Sequence, residues 1–424
     1  MAQRALLVEG RWPAAFTSLR YPNYRRWFVG QSLSLMGTWM QSVAQGWLVY
    51  DLTGSELALG MITFAGSFPS LFLMLPAGAI ADRIPKRRLL LMTQSFMMLL
   101  ALVLALLTAT KTLQVWHIAV LALGLGVCNS FDAPARQALA VELVEDRRDL
   151  QNAIALNSMM FNMARVVGPA LGGLALAALG AAWCFGLNSL SFLAVLIALV
   201  GMRLPNTVGA ARSERLMTQI GDGLRYVWGN MTVRTVIALI AVSSLFALSY
   251  AVLMPAYAAD VLHVGETGLG MLNAAVGAGA LVGALALAVL SRSSRQALQL
   301  TIGSLIFPMA LICFALSRSF PLSLVSLGVA GFGFVTQNAT GNTLVQSIVP
   351  DALRGRVMAV YSLMFFGTTP FGSLLAGVMA QAFGPTVAVL FGSGVTLAFA
   401  LLVIIRVPSL RRSRLPEPGP QVQA

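Results

Sequence analysis

The chain has 424 residues, of which 58% are hydrophobic and only 10% charged, with a mean hydropathy of +0.80. A soluble domain carries about 25% charged residues, so one large water-borne core is excluded and lipid is the solvent that fits. The formal net charge of +13 does not mark a nucleic-acid binder, because the arginines stand in short clusters between apolar runs.

Residues 1–26 hold five arginines and no long apolar stretch with a cleavage site, which reads as a cytosolic arm. Six apolar segments then fill residues 27–202, near Trp27–Tyr50, Leu57–Ala81, Leu89–Thr110, Leu113–Phe131, Ala153–Leu179 and Ala182–Met202. Residues 203–234 form a long polar cytosolic loop, within which Gly223–Trp228 suits a short amphipathic helix at the membrane surface. Six more segments fill residues 235–407, near Thr235–Tyr257, Leu269–Leu290, Ala297–Leu316, Leu322–Val345, Val357–Ala382 and Thr386–Val407. Residues 408–424 are a cytosolic tail. Each segment is long enough to cross about 30 Å of hydrocarbon as a helix. The runs do not alternate, which excludes a β-barrel. The expected class is an all-α membrane protein of twelve transmembrane helices in two six-helix pseudo-symmetric halves.

Of the 28 Lys and Arg, 25 fall in alternate loops and in the two ends, while the opposite loops hold only Lys111 and Arg318. The excess places both termini in the cytosol. The remaining one, Arg165, is inside the fifth span. Leu139–Asp146 aligns with Leu344–Asp351 at a shift of 205 residues, close to half the chain, as parallel repeats in a transporter would give. Cys128, Cys184 and Cys313 lie inside apolar runs with no metal or disulfide spacing.

Between the second and third spans stands Gly78-Ala-Ile-Ala-Asp82-Arg83-Ile-Pro-Lys86-Arg87-Arg88. A positive cluster at a membrane edge is ordinary, but it explains neither Asp82 nor the glycine four residues before it. The fifth span carries Arg165-Val-Val-Gly168-Pro169-Ala-Leu-Gly172-Gly173. Its glycines let helices touch and its proline kinks the helix. Leu52-Thr-Gly-Ser55, Asp132-Ala-Pro-Ala-Arg136, Asp149-Leu-Gln-Asn152 and Pro350-Asp-Ala-Leu-Arg354-Gly-Arg356 punctuate the spans. With these motifs the chain resembles the major facilitator superfamily, in particular its enterobactin-exporter and macrolide-efflux subgroup. In that superfamily the loop after the second helix is a cytosolic latch whose aspartate pairs only in the outward-facing state. The resemblance implies gating roles for Gly78, Asp82, Arg83, Arg87, Arg136, Gly168, Pro169, Gly172, Arg354 and Arg356. It further implies proton-coupled export of a hydrophobic drug or siderophore from a bacterial inner membrane. Ser291-Arg-Ser-Ser-Arg295, in the matching loop of the second half, lacks the Asp-Arg pair, which puts a second latch in doubt.

Polar residues inside spans are costly and so informative. Gln31, Ser34, Thr38, Gln41 and Gln45 fall on one face of the first span at helical spacing. Asn338, Asn342 and Gln346 recur every four residues in the tenth, and the seventh adds Ser244 and Tyr250. The expected substrate cavity is lined by Thr38, Gln41, Gln45, Asn129, Arg165, Ser244, Tyr250, Asn338 and Asn342, although such amides also bond between helices. The resemblance implies the same lining helices: first, fourth, seventh and tenth. Arg165 either meets an anionic ligand or satisfies helix-end carbonyls.

No carboxylate stands clearly at mid-depth, so the proton carriers expected are Asp51, Asp132 and Asp260, with Glu142 as the alternative. No catalytic cluster is visible: the two histidines, His117 and His263, are near the outer face, and no phosphate-binding loop precedes Lys86 or Lys111. The expectation is a carrier that is not an enzyme, needs no metal or cofactor, and has the proton gradient as its energy source. Its partners are a small-molecule substrate and the lipid bilayer, without nucleic acid, and it works as a monomer. An uptake or lipid-flipping carrier is the alternative, and a polytopic membrane enzyme a more distant one.

Overall fold

The computed structural model describes residues 14–144, 146–202, 216–290 and 296–407. A short 3-10 helix, Ala14–Arg20, leads into α1 Pro22–Thr53, α2 Glu56–Arg83, α3 Lys86–Ala109, α4 Val115–Glu142, α5 Leu150–Leu179 and α6 Ala181–Val200. A shorter helix, α7, spans Leu216–Gly229. The second set is α8 Met231–Val261, α9 Gly265–Leu290, α10 Gln296–Leu316, α11 Phe320–Ile348, α12 Asp351–Phe383 and α13 Pro385–Arg406. The described residues contain no strand, as the sequence predicts.

Eleven of these helices are long and apolar enough to cross a membrane. The long helix outside that set is α1, whose 32 residues are diluted by the glutamines and hydroxyls of its polar face. Large apolar side chains stand exposed along the bundle, Val289 at 81% and Ile197 at 71% among them. Water would penalise such a surface, whereas hydrocarbon does not.

Helix ends follow local chemistry. Pro22 starts α1, where its missing N–H is no loss, and Gly54 stops it in the left-handed region at φ 57° with its N–H on the Tyr50 carbonyl. Ser55 caps α2 by accepting from the Ala58 N–H. Asn230 caps α8 in the same way, accepting from the Val233 N–H at 3.0 Å, so α8 begins before the expected Thr235. The helical bundle also starts earlier than residue 27: Tyr24 is fully buried and its hydroxyl donates to the Ala153 carbonyl at 2.9 Å.

The packing of α1–α6 repeats in α8–α13. The pairs α2–α4, α3–α4, α3–α6, α1–α5 and α1–α6 have counterparts in α9–α11, α10–α11, α10–α13, α8–α12 and α8–α13. Gly180 and Gly384, both at positive φ, turn the chain at matching places, α5 into α6 and α12 into α13. Missing side chains set the closest crossings. A Cβ on Gly126 would lie 2.1 Å from the Gly66 carbonyl oxygen between α4 and α2. On Gly279 it would lie 1.7 Å from the Gly328 oxygen between α9 and α11. The two halves meet along α5–α9 and α2–α12. Those seams are glycine-lined too, at Gly173 against Gly270 and Gly60 against Gly377.

The α7 helix covers the expected amphipathic stretch and extends upstream of it. It lies on α12, where Arg356 donates to Asp222 at 2.8 Å. Residues 1–13, 203–215 and 408–424 lie outside the described residues, with half of the expected arm, part of the central loop and the tail.

Gly279→Leu is expected to destabilise the bundle by about 1–3 kcal/mol or more, since backbone cannot yield to a new side chain. Gly78→Ala, where a Cβ meets nothing within 4 Å, is expected to leave stability unchanged. Thermal unfolding of the two purified variants checks the contrast.

Candidate functional site

Four of the expected cavity residues meet in the first half. Thr38, Gln41, Gln45 and Asn129 line one cavity of about 320 Å³ between α1, α2, α3, α4 and α6. Asn129 is exposed, Gln45 half-buried and Gln41 buried. The Gln41 oxygen accepts from Asn188 Nδ2 at 2.7 Å, so this amide bonds to α6 as well as lining the cavity. The Thr38 hydroxyl donates to the Ser34 carbonyl at 2.9 Å. A second cleft, about 470 Å³, opens between α1, α4 and α5 and is lined by Arg136, Gln137, Asn157, Phe161 and Asn162.

In the second half the expected residues are more tied to protein. Ser244 donates to the Phe365 carbonyl at 2.6 Å and lies 3.0 Å from Thr369 Oγ1. Asn342 accepts from Gln346 at 2.6 Å. Asn338 accepts at its backbone carbonyl from Tyr361, while its Nδ2 is buried without a partner among the described residues. Gln337, which donates to Ser243 at 2.8 Å in the interior, and Asn188 of α6 are not among the residues predicted from the sequence. An amide inside an apolar run was the available signal in both. Around Ser243 the α8 backbone leaves α-geometry: a π-turn at Ser243–Ala247 is followed by a 3-10 segment at Leu248–Leu253, which carries Tyr250. Such breaks recur at functional sites in membrane helices.

Arg165 sits at the midpoint of α5. Its guanidinium carbon lies 5.9 Å from the Trp39 ring of α1 and 5.8 Å from the Phe334 ring of α11. It makes no ion pair or hydrogen bond with a described residue. An arginine at a helix centre costs about 2.5–3.5 kcal/mol to insert, and each ring returns about 0.5–2 kcal/mol. The rings offset much of the cost yet leave the positive charge in place.

The Gly168-Pro169 element explains itself by packing. A Cβ on Gly168 would lie 2.5 Å from Trp39 Cβ, and one on Gly172 3.0 Å from Met40 Cα, so both seat α1 against α5. Pro169 is buried beside them. Gly173 seats α9 instead.

The two ends of the bundle differ. At the end holding the Lys and Arg clusters, no ion pair among the described residues joins the two halves. Lys86 meets Glu142 at 2.8 Å, Arg136 meets Asp132 at 3.7 Å, and Arg354 meets Asp351 at 2.5 Å. Asp132 is buried and accepts from Thr93 at 3.0 Å and Gln94 at 2.8 Å. Arg87 donates to the Leu199 and Val200 carbonyls, closing the C-terminal end of α6. Arg83 is exposed, and Gly78 lines an open cleft between α2 and α12. The Asp82 side chain and residues 291–295 lie outside the described residues. In the loop after α4, bonds from Arg148 draw the Asp146 carboxyl down to about 2. At the opposite end, bonds cross between the halves. Tyr50 of α1 donates to Asp260 of α8, and Ser55 donates to Gln381 of α12 at 2.6 Å. Asp51 is exposed nearby.

Two repeated helical sets joined along glycine seams, with polar residues turned inward, define a membrane transporter. The chain matches the profile of the transmembrane secretion effector family over residues 13–418. It is 31% identical to the multidrug efflux pump Tap of Mycolicibacterium fortuitum, over 82% of this chain and 87% of that one. It is 26% identical to the enterobactin exporter EntS of Citrobacter koseri, over 94% and 95%. In structure it is similar to a bacterial homolog of the human lysosomal transporter Spinster in an inward-facing, unoccupied conformation. That match has a TM-score of 0.69 and 14% identity, covering 93% of this chain and 96% of that one. The chain belongs to the transmembrane secretion effector family, a branch of the major facilitator superfamily.

Removing either Gln41 or Asn188 as Ala is expected to cost stability, and the double variant less than the sum. The coupling should be about 0.6–1.7 kcal/mol, the range of hydrogen bonds between membrane helices. Unfolding of the four proteins in a double-mutant cycle measures it.

Proposed function

We propose that the chain exports a small hydrophobic molecule, a drug or siderophore, across the bacterial inner membrane by alternating access, with the proton gradient as energy source. The observation that carries this reading is the asymmetry of the ends. Among the described residues, hydrogen bonds between the halves occur only at the end away from the arginine clusters. With the arginine end in the cytosol by the charge bias, this is a carrier closed to the outside and open to the inside. In the same reading α1 is a twelfth span, its amides facing the transport path, and the carrier works as a monomer in lipid.

Tap and EntS are an efflux pump and an exporter by name, which favours outward movement over uptake or lipid flipping. Asp260 is exposed at the outer seam, where an external proton reaches it first. Protonated, it loses the charge-assisted bond from Tyr50, and the seam loosens. Asp132, held by Thr93, Gln94 and Arg136, is the second carrier candidate at the inner end.

Inverted membrane vesicles given an inward-acid gradient test the direction and the coupling. Substrate is expected to accumulate inside and to leak away when a protonophore is added. Accumulation that ignores the gradient overturns the antiport reading, and efflux overturns export.

Two variants address the gates. Cross-linking Ser55→Cys to Gln381→Cys with a short bifunctional thiol reagent, in a background without native cysteines, is expected to stop transport reversibly by holding the outer seam shut. Asp82→Asn is expected to cut transport by about tenfold or more with an unchanged unfolding midpoint, because a latch contact worth roughly a charge-assisted hydrogen bond is lost. Wild-type turnover in the folded variant removes Asp82 from the gate.

A further inference from the structure

Arg165 stands where helices of both halves converge: its own α5, α1 through Trp39 and α11 through Phe334. All three residues lie near the middle of their helices. Its five N–H donors meet no hydrogen-bond acceptor among the described residues. The ring wall continues outward: Trp39 packs edge-on against Phe161 at 6.2 Å, and Phe334 lies 6.2 Å from Phe365. Phe161 also lines the cleft between α1, α4 and α5, with Arg136 on the same wall. Ring contacts thus run from the cleft that Arg136 lines to the guanidinium of Arg165.

Resting on the reading of the chain as a carrier, we propose that Arg165 is the recognition point for an anionic substrate with a flat aromatic body, whose negative group meets the guanidinium while Trp39 and Phe334 flank its rings. The chemistry follows from what is missing. A cation placed in a low-dielectric centre with no carboxylate attracts an anion strongly and repels a cation. The rings hold the guanidinium in place without neutralising it. Because Phe334 belongs to the other half from Arg165, rocking of the halves separates them and changes the hold on the anion. One residue thereby joins substrate choice to the change of state.

The test compares two dyes with the same xanthene rings and opposite charge, carboxyfluorescein and rhodamine 6G. Binding to the full-length protein in nanodiscs is read by fluorescence anisotropy, with empty nanodiscs subtracted. Wild-type protein is expected to bind carboxyfluorescein more tightly. Arg165→Gln is expected to weaken that binding by about tenfold or more, the loss of a hydrogen bond to a charged group, and to leave rhodamine 6G as tight or tighter. Arg165→Lys, which keeps the charge but not the planar fork, should fall between. Unfolding midpoints of both variants report on folding. A wild type that prefers rhodamine 6G or binds neither dye overturns the proposal. So does Arg165→Gln binding carboxyfluorescein like wild type, or both variants losing both dyes equally, the mark of a purely structural arginine. Charge-selective, Arg165-dependent binding without movement in vesicles would sink export and leave the site standing. Movement of both dyes unchanged in Arg165→Gln would do the reverse.

Discussion

Hydrocarbon offers no hydrogen bonds, and that constraint orders the rest of the molecule. Every backbone N–H and C=O within the membrane must be satisfied by its own chain, so the described residues are helix after helix with short, capped turns. Once the backbone is closed in this way, hydrophobicity no longer drives one helix onto another, because lipid is as apolar as leucine. Contact must come from shape. The glycines at the α2–α4, α9–α11, α5–α9 and α2–α12 crossings supply it by letting backbones touch.

The same constraint explains how the molecule joins two halves without fusing them. The seams along α5–α9 and α2–α12 are glycine-lined surfaces, and among the described residues the hydrogen bonds between the halves gather at one end. A seam with few directional bonds slides or rocks at little cost, whereas the buried amide pairs Gln41–Asn188 and Gln337–Ser243 keep each half rigid within itself. Rigid bodies on such a seam are what an alternating carrier requires.

Against this sparing use of polarity, Arg165 stands out. The ion pairs Arg136–Asp132 and Lys86–Glu142 lie towards the bundle's end, each with its carboxylate beside it. Arg165 has rings in place of a counter-ion. A structural arginine in lipid would be expected to bond carbonyls or a carboxylate. One left with free donors in the middle of a transport protein is suited to a ligand that brings its own negative charge.

Much of this was legible in the sequence. Apolar runs of membrane length, the Lys and Arg bias, the repeat around Leu139 and Leu344, and the Gly78–Arg88 and Gly168–Gly173 motifs are local patterns, and local patterns survive without coordinates. The spacing of Gln41 and Gln45 marked a face of α1, and both residues line a cavity inside the first half, bounded by α2, α3, α4 and α6 instead of the expected seventh and tenth spans. Spacing along one helix cannot name the neighbour across from it. That Gln41 bonds Asn188, that Arg87 closes α6, that Gly168 and Gly172 seat α1, and that Trp39 and Phe334 flank Arg165 depend on helices far apart in the chain. Helical class and the residues too polar for lipid were determined by the sequence alone, since both follow from each segment's own hydropathy and backbone. Which polar groups pair, which stay free, and at which end the halves are bonded were decided only by tertiary structure, because these depend on distances between separate helices.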